Sequence, residues 1–244
     1  MKTKAYVRFL NRAAHFEADI ELADALSLLV SQQNPGGNTK LLPTIDPARH
    51  PRLTIRKPND HNRTLACKHL NSSIRASYIK DTYEELGHYI TAILRGCALK
   101  GLDANRLVGD HRFSVDANAL LFLGSWDAVL DHLSTELFRQ IEKERSTPKL
   151  IAALGAKLNL RLDPAVIDAA LPYLEMRHIL VHRDGKVDRE FAAKHPQLNL
   201  REGDEFSLKY SEITKARDTI NALVAHIDER VVQNALVPAA ELQR

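Results

Sequence analysis

The stretch "LDPAVIDAALPYLEMRHILVHRDG", Leu162 to Gly185, decides the fold class. Asp163 and Pro164 form a helix start: a capping carboxylate, then a residue whose fixed φ suits the first helical position and whose missing N–H costs nothing there. "RDG" forms the stop, because Gly185 is free to take the positive φ that ends many helices. With Ile167 as zero and 100° per residue, Leu171, Leu174, His178 and His182 fall at about 40°, −20°, 20° and 60°. Both histidines are therefore expected to continue the apolar stripe on a packed face, with Arg177 flanking it at about −80°. Pro172 is expected to kink the helix or restart it.

Working outward, the same periodicity recurs. Val7, Leu10, Ala14, Ile20, Ala23, Leu26 and Val30 predict a helix from Ala5 to about Ser31, ended by "NPGGN". Residues 34 to 63 hold five prolines and two glycines and read as irregular chain, the likeliest internal boundary. Ile79, Tyr83, Leu86, Ile90, Ile93 and Cys97 share a narrow arc and predict a helix over about 65 to 99. A third runs from about Asp116 to Glu144, with Phe122, Trp126, Val129, Leu133, Leu137 and Ile141 as its packing stripe. Thr147 as N-cap and Pro148 at the first position start a short helix that should fade near Gly155. The last helix spans about Ser211 to Gln233. "GKVD" and "EFSLKY" allow at most a small β-hairpin. The fold expected is all-α, an antiparallel helical bundle, with an N-terminal helix and basic Pro-rich linker over 1–63 and a helical domain over 64–244.

At 244 residues, 44% hydrophobic and 27% charged, the chain can bury a substantial core and is not a disordered polymer. It lacks an apolar run of membrane-spanning length and a secretory leader pattern, so a cytoplasmic protein without a membrane partner is expected. Cys67 and Cys97 form no C-x-x-C pair, which disfavours thiolate zinc sites and disulfide frameworks. The net charge of +3 is unevenly spread, with nine Lys or Arg between Lys40 and Lys80 against Asp46 and Asp60 alone. Such a segment neutralises phosphates or forms a solvated basic surface; Arg49, Arg52, Arg56, Lys57 and Arg63 are its candidate phosphate contacts. An acidic protein surface would fit it equally.

Arg-x4-His occurs three times, as Arg56 to His61, Arg106 to His111 and Arg177 to His182, where composition alone gives about one match. Pro58 and Gly109 interrupt the first two, and only the third lies in a strongly helical pattern. "RHILVHRDG", near the end of a long helix in an all-α chain, resembles the Arg-x4-6-His motif of the HEPN superfamily, mostly dimeric, metal-independent endoribonucleases. The resemblance covers about residues 70 to 233. It implies a HEPN-like bundle and a homodimer acting on RNA as a toxin or anti-phage effector, with no metal and no cofactor. It also implies His182 as general acid/base, Arg177 on the phosphate, and His178 orienting or assisting. Imidazole suits proton transfer and guanidinium suits charge developing on phosphate oxygens. Products would be a 2′,3′-cyclic phosphate and a 5′-OH. The family often adds an acidic residue from an earlier helix, for which "YEELGHY" offers Glu84, although its position on the helix faces away from the core arc. Toxins silenced by a partner nucleotidyltransferase commonly carry Tyr two residues after the His; Asp184 stands there, which points to a different inhibitor or trigger. On the family reading the basic segment would bind RNA, or the acidic surface of an antitoxin or other regulatory protein. Two rival readings remain: a non-catalytic HEPN dimerisation or nucleic-acid-binding module, and a metal site on His178 and His182, which lacks an evident third ligand.

Overall fold

The computed structural model describes residues 1–32, 41–101, 116–142, 146–183, 185–206 and 208–243. Among these the chain is all-α, with one two-residue strand pairing and one isolated β-bridge. Helices α1 (Lys4–Gln32) and α3 (Asp60–Leu99) lie side by side, and their partners run in opposite order, which makes them antiparallel. Phe9 meets Tyr89 edge to face at 6.3 Å, Arg12 Nε stands 3.2 Å from Glu85, Arg75 reaches Asp24 at 3.2 Å, and Asn71 donates to Ser27 at 2.9 Å. Among the described residues between them lies one short helix, α2 (Pro51–Thr54).

After α3 come α4 (Ala117–Phe122) and α5 (Trp126–Glu142), the latter also antiparallel to α3: Arg95 pairs with Asp127 and Asp131, while Gly87 further back faces Phe138. Then follow α6 (Thr147–Leu158), α7 (Pro164–His182), α8 (Arg189–Lys194) and α9 (Tyr210–Gln233). Met176 and Ile179 of α7, Leu223 and Ile227 of α9, Ile90 and Ile93 of α3, and Tyr6 and Phe9 of α1 belong to one buried cluster. Burying large apolar side chains contributes about 1.5–3 kcal/mol each, which is what holds helices of modest propensity in place.

The chain ends are tied to this core. Strand β1 (Lys2–Thr3) pairs antiparallel with β2 (Leu242–Gln243), an element absent from the sequence expectations. Beside it the buried Asp228 accepts from Thr3 N at 3.1 Å, Thr3 Oγ1 at 2.5 Å and Tyr89 Oη at 3.3 Å. The anticipated "GKVD" and "EFSLKY" contact exists as the antiparallel bridge Lys186–Glu205, flanked by Val187 N donating to Asp204 O and Phe206 N donating to Gly185 O.

Several local expectations need correction. The buried face of α1 is Tyr6, Phe9, Ala13, Ile20 and Ala23, not the register through Ala14 and Leu26, because the two aromatic rings offer more area to bury. Helix α3 starts at Asp60, where Asn59 Oδ1 accepts from Asn62 N at 2.8 Å, so the expected boundary at 63 falls inside a helix. The third expected helix breaks at Gly124, φ 70°, into α4 and α5. Phe122 and Trp126, read as packing residues, are 90% and 68% exposed. Helix α6 is preceded by Ser146 instead of Thr147, and it runs past Gly155 to Leu158. Helix α7 continues through the buried Pro172, so it does not restart there. No helix among the described residues is long and apolar enough to cross a membrane.

Candidate active site

The two ends of α7 define where its polar residues point. At its start Asp163 accepts from Ala165 N at 2.9 Å, and Pro164 occupies the first turn. At its end Arg183 N and Gly185 N both donate to Ile179 O, at 3.0 and 3.2 Å, and Gly185 sits at φ 76° as the stop requires. Asp184, Arg106 and His111 lie outside the described residues.

His178 and His182 are one turn apart with ring centroids 4.8 Å apart and planes inclined by 48°. Both are exposed, which overturns the expectation of a packed face. The wheel shows shared direction and does not show what covers it. Leu174 and Ile179 are buried, whereas the last turn of the same stripe opens onto an open cleft of about 590 Å³. Arg177, His178 and His182 all line this cleft, so the three residues of the motif are brought together. Arg177 is half-buried, its guanidinium 4.8 Å from the centre of the Tyr83 ring on α3, a cation–π contact worth about 0.5–2 kcal/mol.

Further lining comes from α8 and the residues around it. Asp188 caps α8 by accepting from Phe191 N at 2.8 Å. The helix then presents Glu190, Phe191 and Lys194 to the cleft. Lys194 Nζ lies 2.8 Å from Glu190 Oε1 and 4.0 Å from Glu175 Oε1. The Glu190 carboxylate, with smaller help from Glu175 and Asp188, holds the Lys194 ammonium above its ordinary pKa against the opposing effect of burial. Just past α8 the buried His195 places Nε2 at 2.6 Å from Glu175 Oε2. Ser146 and Thr147, at the N-terminal end of α6, complete the wall.

Glu175, Lys194 and His195 were not read from the sequence. At about 80° on the wheel used above, Glu175 shares the histidine face, a signal that was there to be used. His195 carried none, since it meets Glu175 across an intervening turn. Of the other expected residues, Glu84 is exposed on α3 and is not among those lining the cleft, where its neighbour Tyr83 stands instead. Arg49, Arg52, Arg56 and Lys57 are exposed on the segment around α2, apart from the cleft residues. Arg63 is buried, its guanidinium 3.4 Å from the exposed Asp60, so it does not face solvent as a phosphate contact needs. Among the described residues no three His, Cys, Asp or Glu converge as metal ligands.

Compared with protein-family models, curated proteins and solved structures, the chain matches none.

Proposed function

We propose that the chain is a metal-independent endoribonuclease of HEPN type, a homodimer acting as a toxin or anti-phage effector under the control of a partner protein. The observation that carries this reading is the joint display of Arg177, His178 and His182 on one wall of an open cleft. Histidine transfers protons near neutral pH, and the guanidinium stabilises charge on a pentacoordinate phosphate, so RNA is cleaved by its own 2′-OH without a metal. The exposed Arg49, Arg52, Arg56 and Lys57 supply further positive charge for the RNA backbone.

The test is incubation of the purified chain with mixed RNA, with and without EDTA, beside Arg177→Ala and His182→Ala. Cleavage that survives EDTA, yields 2′,3′-cyclic phosphate ends, and falls 10²-fold or more in either variant supports the assignment. An inert native chain, or cleavage by both variants at the native rate, removes it. The stacking of Arg177 on Tyr83 favours a second reading, a non-catalytic HEPN module in which Arg177 serves packing. In that case native and variant chains are alike inert, and Arg177→Ala lowers stability.

A further inference from the structure

Within the nuclease reading, on which this inference rests, we propose that Glu175 is the catalytic base and that His195 is its positioning residue. In-line displacement sets the attacking 2′-oxygen and the leaving 5′-oxygen on opposite sides of phosphorus. The proton acceptor and the proton donor therefore approach from different sides, and two separate groups are needed. Glu175 and His182 stand seven residues apart on the same face of α7, about 10 Å along its axis, with His178 between them.

The carboxylate of Glu175 is built for the task. Its side chain is 13% exposed and lines the cleft, and Oε2 is fixed at 2.6 Å by Nε2 of His195, whose side chain is only 7% exposed. Oε1 lies 4.0 Å from the Lys194 ammonium, beyond hydrogen-bond distance. It thus keeps lone pairs for a substrate proton beside a cation that tempers its repulsion of RNA. The charged and titratable groups that share the cleft with it are Arg177, His178, His182 and Arg183 at the end of α7, Tyr83 on α3, Glu190 and Lys194 on α8, and Asp188 before α8, with the buried His195 behind it. The step balances as follows: Glu175 takes the 2′-OH proton, the 2′-oxygen bonds to phosphorus, the P–O5′ bond breaks, and His182 gives its proton to the 5′-oxygen. Exchange with water restores both groups.

The experiment compares native chain, Glu175→Gln, Glu175→Asp, His195→Gln, His195→Ala and His182→Ala on one short RNA across pH. A second substrate carries sulfur in place of the bridging 5′-oxygen, a leaving group that needs no proton. Expected for Glu175→Gln are a 10²- to 10⁴-fold loss in kcat with little change in KM, disappearance of the acid limb of the pH profile, and no rescue by the sulfur substrate. The sulfur substrate rescues His182→Ala. Glu175→Asp keeps the acid limb at reduced rate, which serves if the Gln variant does not fold. His195→Gln, which still donates to Oε2, outperforms His195→Ala. Retention of rate and acid limb in Glu175→Gln, or rescue of that variant by the sulfur substrate, overturns the proposal while leaving the nuclease reading intact. A native chain inert on both substrates overturns both.

Discussion

Asp228 offers the sharpest quantitative test of the fold. Its carboxylate is buried between β1, α3 and α9 and accepts from Thr3 N, Thr3 Oγ1 and Tyr89 Oη at 3.1, 2.5 and 3.3 Å. Burial above all, then the nearby Asp228 charge, raises the Tyr89 hydroxyl well above its ordinary pKa, so it remains a donor. Asp228→Ala strips the acceptor from all three donors in a place water scarcely reaches. An orphaned buried donor costs about 1–3 kcal/mol, so the variant loses about 3 kcal/mol or more. For a chain of this size each kcal/mol moves Tm by about 2–4 °C, giving a fall of about 6–12 °C. Tyr89→Phe removes only the longest of the three bonds and costs about 0.5–1.5 kcal/mol. Thr3→Val combined with Asp228→Ala is less than additive, because the two sites share one network. Urea unfolding followed by circular dichroism measures all of these. If Asp228→Ala unfolds within about 0.5 kcal/mol of the native chain, the buried network does not tie the termini to α9.

Three further perturbations follow from particular contacts. A Cβ on Gly96 would stand 2.7 Å from Val237 Cγ1, so Gly96→Ala should cost about 1–3 kcal/mol and be relieved by Val237→Ala in a double-mutant cycle; additive losses would mean the two do not touch. Asp81 has its pKa raised, first by burial and then by Glu84, so the folded chain binds that proton more tightly than the unfolded one. Stability is therefore lost as pH rises from the unfolded Asp value through the raised one, and Asp81→Asn should stabilise at neutral pH and not at low pH, as Tm measured against pH would show. Among the described residues the buried Arg63 makes one ion pair, at 3.4 Å, and its guanidinium nitrogens have no hydrogen-bond partner, so Arg63→Met should leave Tm level or raise it; a fall of several degrees would show that the pair stabilises the fold.

The helices were legible because each buries one stripe at helical period, and local signals set several ends: Asp163 with Pro164 at the start of α7, and Gly185 after it. What periodicity cannot report is the depth of the neighbour. His178 and His182 share the direction of Leu174 and still lie exposed, since α6 and α8 leave the last turn of α7 uncovered. Phe122 and Trp126 fail the same way around Gly124, where a single left-handed residue turns α4 out of line with α5. Arg63 errs in the opposite sense: basic residues at helix ends usually face water, and this one is folded inward. The pairing of Thr3 with Leu242, and of Glu175 with His195, joins segments whose separation hides them from any local pattern. These long-range contacts also change the chemistry available. The motif residues alone present two crowded imidazoles and a stacked guanidinium. The turn that returns His195 to α7 adds a carboxylate held by an imidazole, two helical turns from His182 along the same face.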